Sequence, residues 1–165
     1  MIRLSIPVRQ ALAKLIEEKF GRPDVIAGVA TAAIAQGALV SESLGLPFIY
    51  VRSSPKDHGR ENLIEGDVKA GQSVVVIEDL ISTGGSSLKA VKALRDAGCK
   101  VSGMVSVFTY GFGVAEENFR NANCPVYSLC DYETMIAEAL NAGFISSGEL
   151  HALRAWRESP ETWGQ

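Results

Sequence analysis

Val74-Val75-Val76-Ile77-Glu78-Asp79-Leu80-Ile81-Ser82-Thr83-Gly84-Gly85-Ser86-Ser87 is the stretch whose reading decides the fold of this chain. Four β-branched residues run into two adjacent acids and then into a loop of hydroxyl and glycine residues. The helical pattern Leu88-Lys89-Ala90-Val91-Lys92-Ala93-Leu94-Arg95-Asp96-Ala97-Gly98 follows at once. A short apolar run bounded by turn residues reads as a buried strand, and a strand entering a helix through glycines opens a βαβ unit. A helix N-terminus presents free N–H groups to an anion. Carboxylates just upstream accept hydrogen bonds from vicinal hydroxyls. Such a site suits a ligand that carries both a phosphate and a sugar.

Outward from this element the pattern alternates. Ser5 to Phe20 reads as an amphipathic helix with Leu12, Leu15, Ile16 and Phe20 on one face, and Asp24 to Ala30 as a buried strand. Ala32 to Leu44 reads as a helix stopped by Gly45 and Pro47, and Phe48 to Arg52 as a strand. The polar stretch from Ser53 to Gly66 has no clean period. Ser73 to Asp79 is the next strand, Ser86 to Ala97 its helix and Gly98 the stop. Val101 to Tyr110 and Pro125 to Cys130 read as further strands, with a short helix from Glu116 to Ala122 between them. Two helices close the chain, about Tyr132 to Ala142 and Ser147 to Glu158. Alternation of this kind predicts an α/β fold: a central, mostly parallel sheet of about five strands flanked by helices. Ligands of such sheets bind at the carboxyl ends of the strands, where Arg52, Glu78, Asp79 and Tyr110 fall.

Composition narrows the class. At 165 residues, 47% of them hydrophobic and 21% charged, the chain matches one globular domain without repeats or linkers. A net charge of −3 gives no support to nonspecific nucleic-acid binding and leaves only a local basic site open. No apolar run approaches the roughly 18 residues of a membrane span, and no signal-peptide pattern is visible. Cys99, Cys124 and Cys130 are odd in number and lack metal-type spacing, which favours core or semi-buried thiols in a reduced, cytoplasmic setting.

Ser82-Thr83-Gly84-Gly85-Ser86 has two readings, an anion cradle or an ordinary helix cap beside two solvated acids. The preceding buried strand, the double acid and the Gly-Gly turn favour the cradle. The Gly-Lys-Ser/Thr ending of a P-loop and the G-x-G-x-x-G of a dinucleotide fold are both missing.

These residues resemble the signature of the type I phosphoribosyltransferase family: an apolar strand, two acids and a Thr/Ser-Gly loop. Tyr50-Val51-Arg52-Ser53-Ser54-Pro55-Lys56-Asp57-His58-Gly59, with the trailing Asn62-Leu63-Ile64-Glu65-Gly66, is similar to the mobile catalytic loop of the family's orotate phosphoribosyltransferase group. Gly28-Val29-Ala30-Thr31-Ala32 resembles its pyrophosphate-side loop, and Phe108-Thr109-Tyr110-Gly111-Phe112 a bacterial subgroup. The resemblance runs along essentially the whole chain. It implies transfer of the phosphoribosyl group of phosphoribosyl pyrophosphate (PRPP) to orotate with Mg²⁺. The products are orotidine 5′-phosphate and pyrophosphate, a step of pyrimidine (UMP) biosynthesis. It implies an oxocarbenium-like transition state served by positioning rather than by a covalent nucleophile.

Carried over by position, Glu78 and Asp79 hold the ribose hydroxyls, and the PRPP site runs on through Leu80 and Ile81. Ser82, Thr83, Gly84, Gly85 and Ser86 cradle the 5′-phosphate, with Ser82 and Tyr110 also beside orotate. Arg52, Lys56 and His58 close over the pyrophosphate, to which Thr31 and Ala32 offer backbone groups. Arg52, Lys56, His58 and Asp79 form the implied catalytic set. Magnesium is implied to bind mainly through PRPP, near Glu78 and Asp79. The loop is implied to reach a neighbouring subunit, giving a homodimer with shared active sites.

Two departures stand out. The family carries an N-terminal hood segment ahead of the point where Met1-Ile2-Arg3-Leu4-Ser5 begins, so the expectation is one phosphoribosyltransferase domain over residues 1–165 without that hood. Ser53 and Tyr110 stand where some relatives place a second lysine and an orotate-contacting arginine. A non-catalytic PRPP- or nucleotide-binding module and a purine or xanthine phosphoribosyltransferase remain as alternatives. Tyr132, Trp156 and Trp163 are assigned to packing, and His151 to the surface.

Overall fold

Two runs of buried aliphatic residues make the centre of the sheet. Val25–Val29 (β1) is buried at all five positions, and Ser73–Ile81 (β4) is buried from Val74 through Glu78. Unbroken apolar runs of this kind suit parallel strands covered on both faces. The computed structural model describes residues 2–52 and 63–163. Within them the order is α1 (Ile2–Phe20), β1, α2 (Ala33–Leu44), β2 (Phe48–Val51), β3 (Ile64–Glu65), β4, α3 (Gly85–Asp96) and β5 (Lys100–Thr109). The chain then continues through α4 (Gly113–Asn121), β6 (Val126–Asp131), α5 (Tyr132–Asn141) and α6 (Ser147–Glu158).

The six strands form one sheet in the order β3-β2-β1-β4-β5-β6. All neighbours pair in parallel except β2 and β3, which pair antiparallel through Tyr50↔Glu65 and Val51↔Ile64. From β1 the chain steps outward to β2, whereas from β4 it steps the other way to β5 and β6. The sheet therefore reverses direction between β1 and β4, and a crevice opens at their carboxyl ends. Pairing of Gly28 with Ile77 brings the chain leaving β1 abreast of Glu78.

Helices cover both faces. Leu12, Ile16, Ala33, Val40 and Leu44 of α1 and α2 pack on Ile26, Val75, Ile77 and Val105. On the other face Ala90, Val91 and Leu94 of α3, with Ala115 and Phe119 of α4, pack on Val25, Ala27, Val74, Val76 and Met104. No described helix is long and apolar enough to cross a membrane.

The α/β class and the mostly parallel sheet agree with the sequence reading, with three corrections. Among the described residues the sheet has six strands rather than about five. The added one, β3, is a two-residue edge strand inside the stretch read as aperiodic, held because Ile64 buries its side chain. Strand β4 does not stop at Asp79: Leu80 pairs with Phe108 and Ile81 with Thr109, so both acids sit within paired backbone. Helix α1 starts at Ile2 rather than Ser5. The catalytic loop anticipated around Lys56 and His58 lies outside the described residues.

Gly103 of β5 lies against Phe20 at the end of α1. A Cβ there would press on the ring edge of Phe20 and lie 2.6 Å from the Pro125 carbonyl oxygen, which is backbone and cannot rotate away. Gly103→Ala is expected to destabilise the protein by about 2 kcal/mol through overpacking. Urea unfolding measures this, and an unchanged midpoint would refute the contact.

Candidate active site

The acids leave the core in different settings. Glu78 is 5% exposed, whereas Asp79 is half-buried. Both Glu78 oxygens are held from within the protein: Ser87 Oγ donates to Oε2 at 2.8 Å and the Asp79 N–H donates to Oε1 at 3.1 Å. Ser87, in the first turn of α3, is 1% exposed. Burial pushes the Glu78 carboxyl up to about 7. The neighbouring Asp79 side chain reinforces the rise, and the Ser87 hydroxyl and Asp79 N–H oppose it.

The loop from Ser82 to Gly84 is short and anchored. Gly84 has φ +80° and begins α3 with no side-chain cap. A Cβ on Gly84 would strike the Phe119 ring at 2.7 Å, so a left-handed backbone and a close approach both demand glycine here. Asn118 of α4 donates its Nδ2 to the Thr83 carbonyl at 3.0 Å. Gly85 and Ser86, in the first turn of α3, are exposed, whereas the Ile81 side chain is buried and that of Leu80 lies at the surface.

Across the crevice Thr31 and Ala32 are exposed at the start of α2, whose N-terminus also has no side-chain cap. α4 likewise starts without a side-chain cap, whereas the last two helices are capped: Asp131 accepts from the Thr134 N–H of α5, and Ser146 with Glu149 forms a capping box on α6. The helix N-termini facing the β1/β4 crevice, those of α2 and α3, present N–H groups that no side chain caps. Arg52, just past β2, pairs with Glu65 of β3 at 3.6 Å.

Tyr110 lies at the far side, past the end of β5. Its ring stacks on Phe112 (5.4 Å between centroids, 6° between planes) and meets Trp156 of α6 edge-on at 5.7 Å. Trp156 also packs on Tyr132. Arg157 joins α6 to this segment, donating Nε to the Tyr110 carbonyl at 3.0 Å and Nη2 to the Gly111 carbonyl at 2.6 Å. A cavity of about 780 Å³ opens between Ser82 and Thr83, the Tyr110–Val114 segment and the residues from Trp156 to Thr162.

Glu78, Asp79, Ser82–Ser86, Thr31 and Ala32 are therefore brought to one edge of the sheet, with Tyr110 along the same edge and Arg52 at the neighbouring strand end. Lys56 and His58 lie outside the described residues. His151 is exposed; Trp163, assigned to packing, is 53% exposed. Cys99 and Cys124 are buried, and burial raises both thiols, so neither is an activated nucleophile. Sequence reasoning gave no role to Asn118, Phe119 and Arg157, which depend on contacts across the fold. For Ser87 a signal existed: nine residues after Glu78, it falls on the inward face of the first helical turn.

The family model of the phosphoribosyl transferase domain matches residues 3–128. The chain is 60% identical over 157 residues to the orotate phosphoribosyltransferase of Porphyromonas gingivalis, covering 95% of this chain and 75% of that protein. It is 57% identical over 156 residues to the enzyme of that name from Bacteroides thetaiotaomicron, covering 94% and 74%. Among solved structures, orotate phosphoribosyltransferase of Mycobacterium tuberculosis in complex with Fe(III) dicitrate matches with a TM-score of 0.70 at 29% identity. That match covers 81% of this chain and 76% of the other.

The raised Glu78 carboxyl has a definite sign. Between pH 4.5 and about 7 the folded protein keeps a proton that the unfolded chain has already lost. Its contribution therefore destabilises the fold progressively as pH rises through that window. Urea unfolding at pH 5 and pH 8 should show Glu78→Gln gaining on the wild type by up to about 3 kcal/mol at the higher pH. Equal pH slopes in the two proteins would rule out a buried, proton-retaining Glu78.

Proposed function

Because the chain belongs to the phosphoribosyl transferase family and is similar along nearly its whole length to orotate phosphoribosyltransferases, we propose that it joins orotate to PRPP. In this reaction the bond from the ribose anomeric carbon to pyrophosphate breaks, and pyrophosphate leaves with the electron pair. A ring nitrogen of orotate gives up its proton, which leaves to the departing pyrophosphate or to solvent, and forms the new bond, giving orotidine 5′-phosphate for pyrimidine biosynthesis. The observation that carries this reading is the β1/β4 crevice, where two adjacent acids meet two uncapped helix N-termini. A ribose bearing phosphates on both sides matches that arrangement.

Asp79 and Glu78 accept hydrogen bonds from the ribose hydroxyls, and the Ser82–Ser86 segment cradles the 5′-phosphate with Leu80 and Ile81 leading into it. Thr31 and Ala32 offer N–H groups to the pyrophosphate. Arg52, Lys56 and His58 neutralise it, the last two also serving as proton donors. Ser82 and Tyr110 border orotate. Acceleration comes from fixing the reacting atoms and stabilising the leaving charge.

The oxygen donors of Asp79 and Glu78 fit magnesium chemically. Among the described residues, no group of three or more potential ligand side chains could hold a metal by itself. Bound with PRPP, the ion neutralises pyrophosphate charge. We place the chain in the cytoplasm as one phosphoribosyltransferase domain over residues 1–165, acting as a homodimer with shared active sites. The free cysteines suit that setting.

Mixing the chain with PRPP, Mg²⁺ and orotate should deplete orotate absorbance, whereas adenine, hypoxanthine and xanthine should give no nucleotide. Asp79→Asn should lower kcat/KM for PRPP by roughly 10–100-fold, the loss of charge-assisted hydrogen bonds to the sugar. Orotate left unconsumed, or an Asp79→Asn enzyme as good as wild type, would refute the respective claims.

A further inference from the structure

We propose that Arg157 recognises the carboxylate of the base substrate and so sets the preference for an anionic pyrimidine; this rests on the orotate reading above. Among the described residues lining the 780 Å³ cavity beside Ser82 and Thr83, Arg157 is the one cation. Glu158 and Glu161 line it as well, so an anion entering there is repelled except beside the guanidinium. Tyr110 and Phe112, stacked in parallel, give the cavity a flat wall for a planar ring, and Trp156 borders it at an angle of 59° to Phe112.

The guanidinium is oriented before any ligand arrives. Nε and Nη2 are tied to the carbonyl oxygens of Tyr110 and Gly111, and the side chain is 26% exposed. The tightness of that grip shows at Gly111 (φ +65°), where an added Cβ would lie 3.0 Å from Arg157 Nη2. Nη1 stands 4.0 Å from Glu158 Oε1, beyond hydrogen-bond range, and the Glu158 side chain is 80% exposed. An ion pair so solvated is weak and yields readily to a carboxylate on the ligand. Asp131, whose carboxyl is lowered chiefly by hydrogen bonds from Thr134 and in smaller part by the charge of Arg157, shares the neighbourhood from the end of β6. The same residue that fastens α6 to the end of β5 therefore supplies the charge that a carboxylated pyrimidine requires.

The test compares orotate with orotamide, its neutral carboxamide analogue, on the full chain and on Arg157→Gln, Arg157→Lys and Glu158→Gln. Affinity is read by calorimetry and, with PRPP and Mg²⁺, as KM. Arg157→Gln should weaken orotate by roughly 10–100-fold, the range for a lost charge-assisted pair. Orotamide and the KM for PRPP should change less than threefold. Arg157→Lys, with the charge but not the fork, should recover part of the preference. Glu158→Gln should tighten orotate. Equal losses for orotate and orotamide, or unchanged orotate binding, would overturn the inference and leave Arg157 as a clamp on Tyr110 and Gly111. A wild-type chain that binds no orotate overturns it too. Orotate binding that depends on Arg157 in a chain that never turns over PRPP would sink the proposed reaction and leave this inference standing.

Discussion

Everything at the candidate site depends on the parallel pairing of β1 with β4. These strands are buried on both faces, so their register is locked: a one-residue slip would turn core side chains toward the opposite helix layer. Their outgoing connections run in opposite directions across the sheet, which leaves the space above their carboxyl ends uncovered. Because pairing of β4 with β5 continues to Ile81, Glu78 and Asp79 are displayed from rigid backbone. Only the few residues from Ser82 to Gly84 form a true loop, and Asn118 and Phe119 of α4 hold it from behind.

That rigidity bears on the electrostatics. The chain carries a net charge of −3, and two of its acids meet in the crevice where the proposed substrate brings several phosphate charges. Anion attraction there comes from helix N-termini that lack side-chain caps, which supply fixed N–H groups at short range and need no net positive charge. Glu78 limits the opposing repulsion in its own way. Buried and held by Ser87 and Asp79, it retains a proton near neutrality, so an empty site carries less negative charge than its two carboxyl groups suggest.

The fold was legible because its central strands carry short apolar runs, Val25–Val29 and 74–77, and helices such as α1 and α3 keep an amphipathic period. Strand β3 escaped notice because two residues carry no period; a buried Ile64 paired across to Val51 is what makes it a strand. The true end of β4 carries no local mark: paired acids resemble a terminus, whereas the pairing of Leu80 and Ile81 with β5 is a tertiary fact. Within the site, Glu78 to Ser86 was legible as a unit because contiguous sequence builds it. Arg157 could not be reached the same way: its partners, the carbonyl oxygens of Tyr110 and Gly111, lie 47 and 46 residues away and offer no side-chain signature.

This contrast follows from what each half of the site must recognise. A phosphate and a ribose are common to many ligands, and one strand–loop–helix element with its own backbone amides and two carboxylates suffices to hold them. A base must be told from other bases, which calls for a shaped wall and a charge at a particular point. In the proposed site that wall is assembled from the loop after β4, the segment after β5 and the end of α6, three parts that line one cavity. Trp156 and Arg157 perform that docking, the first among Tyr110, Phe112 and Tyr132, the second on backbone carbonyls. In the proposed reaction the discriminating half of the site thus depends on the docking of α6, while the sugar-phosphate half is fixed by the central sheet. Weakening α6 should therefore loosen the choice of base before it loosens the hold on the sugar.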